Sequence, residues 1–188
     1  GTALVTGATS GIGEEFCWQL ASAGHDLVLV ARREDALAAL ADSLANVAGV
    51  RAEVIAADLS TEAGCARVAA RLDVGGPADT EKPDLRPVDL LLHNAGFGLG
   101  SAFLDNSLEN ENNGLNVMVR AVMTLAHHAG ISMRSRGSGA ILNVGSVASR
   151  TGAGTYSAHK AWAVTSTEVL DAALAATGIT ATAVCPGR

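Results

Sequence analysis

Tyr156 and Lys160 stand four residues apart in "GTYSAHKAW" (154–162), and Tyr156 is the sole tyrosine of the chain. On a helix, positions i and i+4 share a face with Cβ atoms about 5–6 Å apart, so a phenol and an ammonium there can act on one small volume. The pair is either a proton-transfer site or an ordinary surface contact. A second stretch, "TGATSGIG" (6–13), has the makings of a phosphate cradle. Gly7, Gly11 and Gly13 permit a tight turn and a close approach of backbone to a pyrophosphate, and Ser10, Gly11 and Ile12 lead into a helix whose first N–H groups lack partners. The spacing is GxxxGxG rather than GxGxxG, and a glycine-rich turn alone is as readily a tight connection. A third stretch is "LVLVARRED" (27–35). Where a dinucleotide fold selective for NAD carries a carboxylate, Ala31 offers none. Arg32 and Arg33 follow at once, suited to a charge-assisted contact with the 2′-phosphate of NADP, Arg32 being the better placed. The competing reading is a solvated pair at the start of a helix.

These residues need elements to position them. "TALVT" (2–6), "DLVLVA" (26–31), "AEVIAA" (52–57), "VDLLLH" (88–93), "GAILNVGS" (139–146) and "ITATAVC" (179–185) read as strands. Between them lie helical patterns: "EEFCWQLASAG" closed by Gly24, then stretches near 34–47, 61–72 and 106–130, and the Tyr156 helix. Strands apolar on both faces and separated by helices imply a parallel sheet covered on both sides, a doubly wound α/β fold of Rossmann type with three αβα layers. The compositional break "DVGGPADTEKPDLRP" (73–87) reads as a surface excursion.

The 188 residues, 48% hydrophobic, suffice for one good core, and the chain reads as a single domain over 1–188. A net charge of −6 and a pI near 5.3 disfavour nucleic acid and anionic membranes as partners. No apolar run approaches the roughly 18 residues a membrane span needs, and no charged-then-apolar leader precedes the first strand, so a cytoplasmic protein is expected. Cys17, Cys65 and Cys185 lack metal-ligand or CxxC spacing, and no metal site is expected.

"TGATSGIG", "AADLS" (56–60), "HNAG" (93–96), "NVGS" (143–146), "YSAHK" (156–160) and "CPG" (185–187) occur in the order found in classical short-chain dehydrogenases/reductases, and the chain resembles that family over almost its whole length. The resemblance implies that Asp58 and Leu59 flank the adenine, and that Asn94, Ala95 and Gly96 line the cofactor and stabilise the sheet. It places Pro186 and Gly187 near the nicotinamide. Tyr156 becomes the general acid/base, Ser146 holds the substrate oxygen, and Lys160 bonds the nicotinamide ribose. A free phenol titrates near 10, and a neighbouring ammonium favours the phenolate, which suits proton exchange at neutral pH. The implied reaction interconverts a carbonyl and a secondary alcohol with NADP(H), NAD being the less suited cofactor, in a homo-oligomer, a dimer or tetramer, acting on a small carbonyl or alcohol substrate.

Three departures from the family pattern stand out. His93 occupies a position that is commonly asparagine. Counting back from Ser146 and from Ala121 in "LNVMVRAV" places Met118 where the family has an asparagine that marks a helix distortion and whose main-chain carbonyl holds a relay water. Asn116, about 200° away on a helix, is expected to face elsewhere. The sequence also stops at Arg188, short of the family's usual substrate lid, last strand and helix. The alternative to a working oxidoreductase is a catalytically weak dinucleotide sensor or scaffold on the same fold.

Overall fold

Every residue of Thr2–Thr6 is buried, so this first strand has to lie inside a sheet covered on both faces. The computed structural model, which describes residues 1–77 and 84–187, places it there. The strands are Thr2–Thr6 (β1), Asp26–Ala31 (β2), Ala52–Ala56 (β3), Leu90–His93 (β4), Gly139–Val144 (β5) and Ile179–Val184 (β6). They form one sheet in the order β3-β2-β1-β4-β5-β6, and every pairing is parallel. The helices are Gly11–Ser22 (α1), Glu34–Ala48 (α2), Glu62–Leu72 (α3), Leu108–Leu115 (α4), Ala121–Arg136 (α5) and Thr155–Leu174 (α6).

The period-2 alternation of strand side chains divides the core in two. Leu4, Leu91 and Ile141 face α3, α5 and α6, packing with Val68, Leu125 and Leu174. Ala3, Val5 and Leu92 face α1 and α2, packing with Cys17, Leu37 and Leu44. The layers are therefore helix, sheet, helix, as the apolar strands imply. Side-chain caps start two of the helices: the Thr61 hydroxyl accepts from the Gly64 N–H at 3.0 Å, and the Ser107 hydroxyl from the Asn110 N–H at 3.1 Å.

The structure differs from the sequence reading at several ends. Helix α1 begins at Gly11 rather than Glu14, so the glycine turn itself supplies its first turn. Strand β5 ends at Val144, and after Gly145, whose N–H still donates to the Val184 carbonyl at 2.7 Å, the chain leaves the sheet at Ser146. The helix expected over 106–130 runs to Arg136 and is interrupted by a π turn over Asn116–Arg120, in which the Ala121 N–H donates to the Asn116 carbonyl. The excursion expected over 73–87 falls partly on 78–83, outside the described residues.

Leu91 is wholly buried in a central strand. Leu91→Ala is expected to cost about 2–5 kcal/mol by removing buried methyls and leaving a cavity, measured as a lower midpoint in urea denaturation.

Candidate active site

The connection from β3 to β4 carries the chain from one edge of the sheet to the far side of β1, so the chain leaves β1 and β4, which are neighbours, toward opposite faces. A crevice opens at the carboxyl ends of such a pair. Three hydrogen bonds fix its floor. The Thr6 hydroxyl accepts from the Asn94 and Ala95 N–H groups, each at 3.1 Å, and the Asn94 side-chain amide donates to the Gly7 carbonyl at 3.1 Å. Gly13 fits closely beneath: a Cβ there would lie 2.2 Å from the Gly7 oxygen and 2.3 Å from Asn94 Nδ2. Gly11 differs, having a φ of +53° and open space where a Cβ would be. Ser10 precedes α1 without capping it, so its hydroxyl and the first amides of the helix are available to an anion.

Above this floor lies a cavity of about 830 Å³. Ser10, Gly11 and Ile12 line one side, Asn94 and Gly96 the floor, and Pro186 and Gly187 a further wall. Ser146, Tyr156 and Lys160 line the same cavity. Ser146 opens a short 3₁₀ turn, Val147–Arg150, where its hydroxyl accepts from the Ala148 N–H at 3.1 Å, leaving the hydroxyl proton free to be donated. Tyr156 and Lys160 share a face of α6, with the ammonium 5.8 Å from the ring centroid. Lys160 is 6% exposed and donates to the Val144 carbonyl at 2.8 Å. Burial pushes its ammonium below the ordinary lysine value, and nearby Cys185 partly offsets this.

The remaining candidate residues lie around this centre. Arg32, Arg33 and Asp58 are exposed on the rim, where β2 and β3 end side by side. Neither arginine side chain forms a hydrogen bond or salt bridge among the described residues. The Ser60 N–H, and then its hydroxyl, hold the Asp58 carboxyl below its ordinary value, with Arg32 contributing. Leu59 follows Asp58. Its side chain is 7% exposed and packs in the core. Ala95 likewise packs against that core rather than lining the cavity.

The two unusual positions are both behind Lys160. Met118 is 1% exposed, and a Cβ built on Gly96 would lie 3.3 Å from both its sulfur and Lys160 Nζ. The π turn that contains Met118 opens at half-buried Asn116, so the helix distortion implied by the family resemblance is present, with a polar residue at its start. His93 is 5% exposed, and its Nε2 has no hydrogen-bond partner. Burial, and then the Lys160 charge, push its pKa from 6.5 to about 3, so it is neutral at ordinary pH. Sequence reading missed Glu111, a carboxylate 9% exposed that accepts from Thr155, the cavity-lining residue before Tyr156. The polar run "NSLENENN" (106–113) announces a helix start but not which of its side chains turns inward.

Known proteins share this fold. A family model described as short chain dehydrogenase matches residues 1–188. The ketoacyl reductase HetN of Nostoc sp. is 32% identical, aligned over 99% of this chain and 62% of its own length. A bulky-bulky ketone specific alcohol dehydrogenase from Comamonas testosteroni superposes with a TM-score of 0.90 at 33% identity, covering 99% of this chain and 72% of that one. A short-chain dehydrogenase from Sphingobium yanoikuyae, solved in complex with NADPH, superposes with a TM-score of 0.90 at 34% identity, covering 99% and 70%. The chain thus spans 62% to 72% of the length of these proteins.

The neutral state of His93 has a consequence for stability. Its folded pKa lies below its unfolded value, so its contribution is fully present above pH 6.5 and is lost as the pH falls toward about 3. Lowering the pH from 7 to 5 is expected to destabilise the protein by about 2 kcal/mol through this residue, before the carboxylates titrate. His93→Asn should remove most of that loss, as measured by urea denaturation at both pH values.

Proposed function

The chain belongs to the short-chain dehydrogenases, and from that membership we propose that it is an NADP(H)-dependent oxidoreductase that interconverts a carbonyl and a secondary alcohol, with Tyr156 as acid/base. The observation that carries this reading is that Ser146, Tyr156 and Lys160 meet in one cavity with the glycine turn at the end of β1. The names of the relatives support the substrate class, since one is a ketoacyl reductase and another a ketone-specific alcohol dehydrogenase.

The residues fit the cofactor. The open space over Gly11, the uncapped Ser10 hydroxyl and the first amides of α1 suit a pyrophosphate. Arg32 suits a 2′-phosphate at the rim, with Asp58 beside it for the adenine and the Leu59 main chain next to that. Pro186 and Gly187 lie on the wall near Tyr156 and Lys160, where the nicotinamide would sit. NADPH, when bound, supplies the hydride that the carbonyl carbon takes up.

The protein's own part is to hold and move the proton. The Ser146 hydroxyl donates a hydrogen bond to the substrate oxygen and keeps it beside Tyr156. The Tyr156 phenol gives its proton to that oxygen as the carbon is reduced, and takes one back in the reverse direction. The Lys160 ammonium, fixed by the Val144 carbonyl, stabilises the negative charge that the ring then carries. In the low dielectric of a buried position this charge acts more strongly than it would in water.

Two expectations follow for the full-length protein. Tyr156→Phe removes the transferable proton and little else, so turnover should fall by about 10²–10⁴-fold while NADPH affinity, read by fluorescence titration, stays nearly unchanged. If the phenylalanine variant kept most of its activity, Tyr156 would not be the acid/base. For cofactor choice, Arg32 should make NADPH bind more tightly than NADH by roughly tenfold or more, from a charge-assisted contact of about 1.5–3 kcal/mol. Arg32→Ala should narrow the gap, and equal dissociation constants in the unmodified protein would refute the preference for NADP.

A further inference from the structure

Helix α6 carries Tyr156 in its first turn, yet nothing local caps it. The residue before the helix is Gly154, which has no side chain to offer. The tie comes from another element. Glu111 in α4, 9% exposed, accepts the Thr155 hydroxyl on Oε2 at 2.6 Å and the Asn106 side-chain amide on Oε1 at 2.7 Å. Asn106 in turn accepts from Asn110 Nδ2 at 2.9 Å, and the same Asn110 amide donates to the Leu99 carbonyl at 3.0 Å. One carboxylate thus joins the start of the Tyr156 helix to the loop after β4, whose residues Phe97 to Ala102 line the cavity opposite Ser146.

The chemistry of the tie favours rigidity. Thr155, and then Asn106, hold the Glu111 carboxyl below its ordinary value, so it stays ionised and both contacts are charge-assisted. A negative charge also suits the amino end of a helix. The two contacts are partly shielded from water by the packing of α4 against α6.

We propose that Glu111 is a positioning residue of the active site: its carboxylate, gripping Thr155 and Asn106, sets the Tyr156 hydroxyl at a fixed distance from the loop that walls the substrate side of the cavity. The inference rests on Tyr156 being the proton donor. It requires that Glu111 and Thr155 act on the chemical step rather than on cofactor binding, since among the described residues no hydrogen bond joins either to the phosphate cradle at the end of β1.

The test compares Thr155→Val, which keeps the shape and loses the hydroxyl, with Thr155→Ser, which keeps the hydroxyl, and with Glu111→Gln, all in the full-length protein. Three quantities are read: kcat with NADPH and a ketone the unmodified protein reduces, NADPH dissociation constants, and amide hydrogen exchange over residues 154–160. Thr155→Val should lower kcat by about tenfold, with NADPH affinity within about twofold of the parent and faster exchange at the start of α6. Glu111→Gln should show the same pattern, and Thr155→Ser should restore the parent values. Parental kcat and exchange in Thr155→Val would overturn the proposal, as would a loss of kcat in Thr155→Ser equal to that in Thr155→Val. A parent protein with no turnover on any ketone would instead sink the oxidoreductase reading, and the exchange data would still decide whether the strap holds α6.

Discussion

The crevice depends on the clamp between the ends of β1 and β4. Two adjacent parallel strands that send their chains to opposite faces leave a gap at their carboxyl ends, and a gap in a sheet exposes main-chain groups that need partners. Here the Thr6 hydroxyl takes two of the N–H groups, at Asn94 and Ala95, and the Asn94 amide takes the Gly7 carbonyl. The gap thereby becomes a floor of satisfied groups. Gly13 is fixed by the same arrangement, because any side chain there would strike both the Gly7 oxygen and the Asn94 amide.

A second constraint follows from placing a lysine against that floor. Burying an ammonium is costly unless its surroundings compensate, and Lys160 is almost fully buried. One N–H goes to the Val144 carbonyl, which is available because β5 ends there and the chain turns away through Gly145. The cost also reaches His93. An imidazole shut in beside a buried cation cannot afford a proton of its own, and it stays neutral far below the pH at which a solvated histidine charges. A neutral His93 spares Lys160 a like-charged neighbour and keeps the positive charge of this region on the side chain that faces the cavity.

The sheet was legible because its strands are apolar on both faces and its helices sit in the intervals, a pattern few folds produce. The glycine turn before α1 and the pairing of Tyr156 with Lys160 on one helix face were legible because each depends on spacing within one element or one turn. What spacing along the chain could not convey were relations between elements. The family resemblance puts Leu59 beside Asp58 at the adenine, and which way its side chain turns, into the core, depends on helices packed from elsewhere in the chain. Glu111 and Thr155 are 44 positions apart and meet only because α4 and α6 pack together. The π turn over Asn116–Arg120 was implied by the family resemblance alone, because an extra residue in a helical turn leaves composition unchanged while rotating the face presented downstream.

That rotation bears on the apolar residue behind Lys160. An ammonium has three N–H donors, and among the described residues Lys160 commits one, to Val144. If the wall behind it carried carbonyls or hydroxyls, those acceptors would compete for the other two. The wall instead consists of Gly96, with no side chain, and the thioether of Met118, a weak acceptor held in place by the π turn. Neutral His93 completes it without offering a negative charge. The two remaining donors are thus left to the crevice, where a ribose hydroxyl and a phenolate are the partners the proposed chemistry needs. An apolar residue at 118 is therefore compatible with a working lysine: it directs the hydrogen bonds of Lys160 outward by leaving them little to meet behind.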